Sequence, residues 1–71
     1  MKQNEYEFCV LRDKQWDTGD ETWYKRPSEA VKAAVAYLKE HNLPAAWVRR
    51  CFNGGHVRTV KLIEWDGVTL Q

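Results

Sequence analysis

The sequence predicts a small α+β domain: one antiparallel sheet with a single helix packed on one face, in the order β-β-α-β-β. Three observations carry that prediction. Residues 27–44 form one amphipathic stretch with a readable start and stop. The segments on either side of it are rich in strand-forming aromatic and β-branched residues. Asn53-Gly54-Gly55 supplies a hairpin turn between two of those segments. Residues 1–71 make one domain, with no room for a second core and no repeat, low-complexity segment or linker.

Residues 1–4 are polar and are expected to fray. From Tyr6 to Leu11 the chain reads as a first strand. Tyr6, Phe8 and Val10 share one face of it, and Glu7, Cys9 and Leu11 share the other. Residues 12–20 are polar, contain Gly19, and are expected to connect a hairpin. Glu21 to Lys25, with Thr22, Trp23 and Tyr24, reads as a short second strand that Pro27 ends.

In the helix, Ser28 is positioned to cap the first turn, and Glu29 places a negative charge at the positive end of the dipole. Val31, Ala34, Val35 and Leu38 recur at the i, i+3, i+4, i+7 spacing of a core-facing stripe. Asn42 is suited to the left-handed conformation just past the end. Leu43 can then fold back on Leu38, and Pro44 cannot continue the helix.

Ala45 to Phe52 reads as a third strand and His56 to Trp65 as a fourth. A three-residue loop pairs Val48 with Val60 and Ala46 with Leu62 on one face. It pairs Trp47 with Lys61 and Arg49 with Thr59 on the other. A one-residue slip would exchange the faces, so the pattern favours that loop, with Gly55 left-handed. Ile63 and Trp65 do not fit the apolar face, which points to a bulge or a second buried surface near Ile63. Residues 66–71 hold an Asp66-Gly67 turn signal and a short apolar tail.

Bulk composition narrows the function classes. Eleven Lys and Arg stand against ten Asp and Glu, so the surface as a whole is not built to attract polyanions. No apolar run approaches the roughly 20 residues of a membrane span, and residues 1–15 lack the features of a secretory signal. A cytoplasmic protein with reduced Cys9 and Cys51 is therefore expected. Nine aromatic residues, four of them Trp, offset the small core of so short a chain.

No catalytic or metal constellation is legible. Cys9, Cys51, His41 and His56 fall into no zinc-ligand spacing, and Asp13, Asp17, Asp20 and Glu21 do not match a calcium loop around Gly19. In the three-residue register Cys51 and His56 lie on opposite faces, which opposes a thiol–imidazole pair. Ser28, the one serine, reads as a cap, and Asn53-Gly54-Gly55 lacks the helix N-terminus of a phosphate cradle. The expectation is no enzyme, no metal and no cofactor.

Charge is divided between the hairpins. Arg49, Arg50, His56, Arg58 and Lys61 cluster in the second, while Glu5, Glu7, Asp13, Asp17, Asp20 and Glu21 belong to the first. The chosen register puts Trp47, Arg49, Thr59, Lys61 and Trp65 on the sheet face away from the helix. Trp, Tyr and Arg are the favoured anchors of protein interfaces. The sequence therefore predicts a protein-binding module, an adaptor or inhibitor that occupies the surface of a larger partner; phage-type inhibitors of host machinery have this size. The partner-binding residues are Trp47, Arg49, Arg58, Lys61 and Trp65, with Arg50 next. The alternative is a single-stranded nucleic-acid-binding domain using the basic, aromatic 46–65 hairpin, by stacking and phosphate contacts. Five cations suffice for moderate, salt-dependent binding, and the acidic hairpin would weaken it. A homodimer through an unpaired sheet edge is a further expectation.

Overall fold

A computed structural model describes residues 4–52 and 55–70. It shows the expected class, a small α+β domain in β-β-α-β-β order. The elements are β1 (Asn4–Arg12), β2 (Gln15–Thr18), α1 (Pro27–His41), β3 (Ala45–Phe52) and β4 (Gly55–Glu64). The strands form one antiparallel sheet in the order β2-β1-β3-β4. Helix α1 lies on one face of the sheet, chiefly over the central strands β1 and β3.

The core follows from period-2 and period-3.6 faces meeting. Phe8 and Val10 from β1, Ala46 and Val48 from β3, and Ile63 from β4 pack on Ala30, Ala34 and Leu38 of α1. Register pairs Phe8 with Val48 and Val10 with Ala46, so these side chains stand on one face. The helical stripe keeps all four expected residues against the core and is centred nearer Ala30 than expected. Ala30, Ala34 and Leu38 are fully buried, whereas Val31 and Val35 flank them half-buried. Two alanines on the contact line let the helix approach the sheet, and Phe8 fills the space, its ring edge-on to Tyr37 at 5.5 Å.

Pro27 is the first helical residue, and Arg26, extended at φ −127° and ψ 141°, is the N-cap with no side-chain cap bond. The expected Ser28 cap is thus corrected. Proline at the first position needs no N–H partner and already has the helical φ, so the helix starts two residues earlier than a Ser28 cap would place it. The stop is as the sequence reads it. Asn42 is left-handed (φ 54°, ψ 53°), and the Leu43 N–H donates to the Leu38 carbonyl at 3.0 Å.

The first hairpin differs from the expectation. Asp13 and Lys14, both at positive φ (52° and 66°), make a two-residue turn, with Arg12 opposite Gln15. The paired strand is therefore Gln15–Thr18, not Glu21–Lys25, which contributes only a bridge between Tyr24 and Tyr6. Between them, Asp20 holds the loop by accepting from the Thr22 N–H at 3.1 Å and from the Tyr24 hydroxyl.

The second hairpin is corrected as well. Phe52 pairs with Gly55, so residues 53 and 54, which lie outside the described residues, make the connection. The Arg49–Thr59 pair holds as expected. Register shifts between Arg50 and Cys51 and between Val48 and Arg49 move the rest of the ladder. Val48 then faces Lys61, Trp47 faces Leu62, and Ala46 faces Ile63. The second shift makes Val60 the extra residue of a bulge. That bulge resolves the misfit at Ile63, which turns into the core at 3% exposure.

Candidate aromatic docking face

The helix covers one face of the sheet and leaves the other uncovered. On the uncovered face the alternation of β3 presents Trp47 and Arg49, and the register brings Glu7 of β1 opposite Arg49 and Leu62 of β4 opposite Trp47. The β2 strand adds Trp16, opposite Leu11. Trp16 and Trp47 meet edge-on with ring centroids 5.8 Å apart. Trp47 Nε1 donates to Thr59 Oγ1 at 2.8 Å, which fixes the indole across the β3–β4 ladder.

Arg49 holds the other side of Trp47. Its guanidinium carbon stands 5.2 Å from the indole centroid, and its Nε and an Nη donate to Glu7. Burial, the largest single influence, lowers the Arg49 pKa, but the hydrogen bond to Glu7 together with the charges of Cys9, Glu7 and Cys51 makes the net shift upward. The guanidinium is therefore committed to Glu7 and Trp47. Cys9 and Cys51 lie under this layer at 8% and 1% exposure, and burial raises both thiol pKa values. Buried, protonated thiols are poor nucleophiles. Cys51 pairs with His56 in the β3–β4 register, where the expected loop would have paired it with Val57.

Between the aromatic rings lies a shallow depression of about 280 Å³ lined by Trp16, Trp47, Thr59 and Leu62. Trp16 is 43% exposed and Leu62 51%, so apolar surface remains open to solvent at its rim. Small-molecule sites begin near ~300 Å³ and enclose most of their ligand. This depression is too open for that, and its size suits one large side chain.

The residues singled out in the sequence separate into groups. Trp47 and Arg49 lie together on the uncovered face. Arg50 pairs with Tyr6 and Arg58, and Lys61 pairs with the core residue Val48, which puts all three on the helix side. Arg50 Nε is buried without a hydrogen-bond partner, and Arg58 and Lys61 are exposed. Trp65 packs against the core cluster and is anchored by its N–H to the Pro44 carbonyl at 2.9 Å. The expectation that Lys61 and Trp65 share the face of Trp47 is corrected: the Val60 bulge exchanges the faces beyond Thr59.

Trp16 and Leu62 were not among the expected binding residues. The alternation in Gln15-Trp16-Asp17-Thr18 was the available signal for Trp16, but a hairpin turn without glycine concealed it. Among the described residues no group of three or more His, Cys, Asp or Glu is placed to hold a metal ion, and no helix is long and apolar enough to cross a membrane.

Comparison with protein-family models, with curated proteins and with solved structures finds no match for this chain.

Proposed function

We propose that this chain is a non-enzymatic protein-binding module that acts as an adaptor or inhibitor by laying its uncovered sheet face on a larger protein. The carrying observation is the Trp16–Trp47–Leu62 depression on the face that the helix leaves open. Indoles preset by neighbours lose little freedom on binding, and such anchors carry most of the energy of protein interfaces. The nucleic-acid reading is weaker, because Trp16 and Trp47 lie on the face opposite Arg50, Arg58 and Lys61, while Trp65, on the side of those cations, packs against the core. Arg49, the cation beside Trp47, is already paired with Glu7. A stacked base would find no free arginine there to hold its phosphate.

The test is capture from lysate of the source organism, with and without nuclease treatment, by the immobilised chain, by Leu62→Asp and by Lys61→Asp. Leu62→Asp is expected to lose captured proteins at least tenfold while its circular dichroism stays unchanged, and Lys61→Asp to retain them. Equal capture by all three, or capture that disappears with nuclease alone, would overturn the proposal.

A further inference from the structure

The chemistry of the partner can be read from the charges around the depression. By register, Glu5 stands opposite Cys51, Glu7 opposite Arg49, and Glu64 opposite Ala45, and all belong to the uncovered face with Trp47. Glu7 is neutralised by Arg49; among the described residues that is the one ion pair. Glu5 and Glu64 remain, one toward each end of the strands, with the aromatic depression between them. The uncovered face therefore carries one unpaired carboxylate beyond each end of the depression, although the chain as a whole has a formal charge of +1.

On the reading that this face binds protein, we infer that its partner is an extended or surface segment presenting one large apolar side chain flanked on both sides by lysine or arginine. The apolar group enters between Trp16, Trp47 and Leu62, where the volume accommodates a single Phe, Leu or Trp side chain. The flanking cations meet Glu64 and Glu5. Along the strand direction Glu64 lies two residues from the Trp47–Leu62 level, about 7 Å, and Glu5 lies four residues the other way, about 14 Å. Glu64 on β4 and Glu5 on β1 also stand on opposite sides of β3, about 10 Å apart across the strands, so an extended segment laid obliquely over β3 with a cation on each side of its apolar anchor reaches both. Like-signed segments are rejected, since carboxylates set against Glu5 and Glu64 repel.

The experiment is a titration of the ¹⁵N-labelled chain with three capped nine-residue peptides, followed by amide and indole N–H shifts. The first has Phe as its anchor and Lys at the two flanking positions, with Gly, Ser and Thr elsewhere. The second replaces both Lys by Glu, and the third replaces Phe by Ala. The lysine peptide is expected to shift the Trp16 and Trp47 indole signals with Thr59 and Leu62, and to bind at least fivefold more tightly than the glutamate peptide. The alanine peptide is expected to cause no shift at those signals. Glu64→Lys, a change at an exposed position, is expected to reduce the preference for lysine flanks.

Equal or inverted affinity of the lysine and glutamate peptides, with shifts still at the indoles, would overturn the charge inference and leave the docking face standing. Shifts confined to Arg58, Lys61 or α1 would overturn both. Absence of any shift with the lysine peptide at about 5 mM, where binding of ordinary weak peptides is already visible, would overturn the inference. Trp47 indole, Thr59 and Leu62 signals that move with chain concentration before any peptide is added would assign the face to a second copy and also overturn it.

Discussion

Gly19 shows how a single residue fixes the path of the first hairpin. Its N–H donates to the Phe8 carbonyl at 3.1 Å as the chain leaves β2. A Cβ at this position would lie 2.3 and 2.5 Å from the Phe8 ring and 2.7 Å from the Phe8 carbonyl oxygen. Phe8 is the largest fully buried side chain, so neither the ring nor the backbone can withdraw without opening the core. Gly19→Ala is expected to cost about 2–3 kcal/mol in urea-unfolding free energy, an overpacking penalty at the high end of its range. A loss below about 0.5 kcal/mol would mean that Phe8 does not sit where the fold places it. The sequence shows Gly19 plainly but suggests a turn; its requirement comes instead from a close approach to a residue eleven positions earlier, which no local pattern reveals.

At the level of elements, legibility followed how locally each was specified. Helix α1 was readable because periodicity, Pro27, Asn42 and Pro44 all act within the segment itself. Strands β1 and β3 were readable for the same reason. The turn at Asp13-Lys14 was not, because positive φ at two non-glycine residues is imposed by the pairing of β1 with β2 rather than advertised by composition. The Val60 bulge was equally hidden. It is set by the burial of Ile63 against Ala46, and it alone decides which of Lys61, Leu62 and Trp65 join Trp47. Half of the candidate site was therefore placed by tertiary packing.

The turn after β4 carries a pH-dependent prediction. Asp66 Oδ1 accepts from the Val68 N–H at 2.8 Å and the Thr69 N–H at 2.7 Å, next to a bridge between Trp65 and Leu70. These bonds, that from Thr69 foremost, lower the Asp66 pKa below its ordinary 3.8. A depressed folded-state value means that the turn is supported fully above the unfolded value and loses that support as pH falls through the folded one. Amide shifts of Val68 and Thr69 are expected to hold steady from pH 7 to about 4 and to move together below it. A midpoint above 4 would show that the carboxylate is not bonded as described.

For the whole molecule, the arrangement divides the surface by chemistry. The helix side collects Arg50, Arg58 and Lys61, while the uncovered face keeps Trp16, Trp47, Leu62 and the carboxylates Glu5 and Glu64. Strands β2 and β4 are the sheet edges. Two register shifts interrupt β4, which is a common means of blunting an edge, so any pairing of copies falls to the four residues of β2. Self-association by that route is part of the proposed behaviour, and sedimentation equilibrium tests it. An average mass rising from 8.4 kDa toward twice that value between low and high micromolar concentration is expected, and a constant mass would remove the edge-paired dimer.

The central claim is that the face opposite the helix is where this chain meets its protein partner. The most direct measurement is a ¹H–¹⁵N spectrum of the labelled chain before and after addition of a purified protein captured by it. The account predicts that the Trp16 and Trp47 indole signals and the amides of Thr59 and Leu62 shift or broaden, while α1 is undisturbed. Changes confined to the helix, or to Arg50, Arg58 and Lys61, would contradict it.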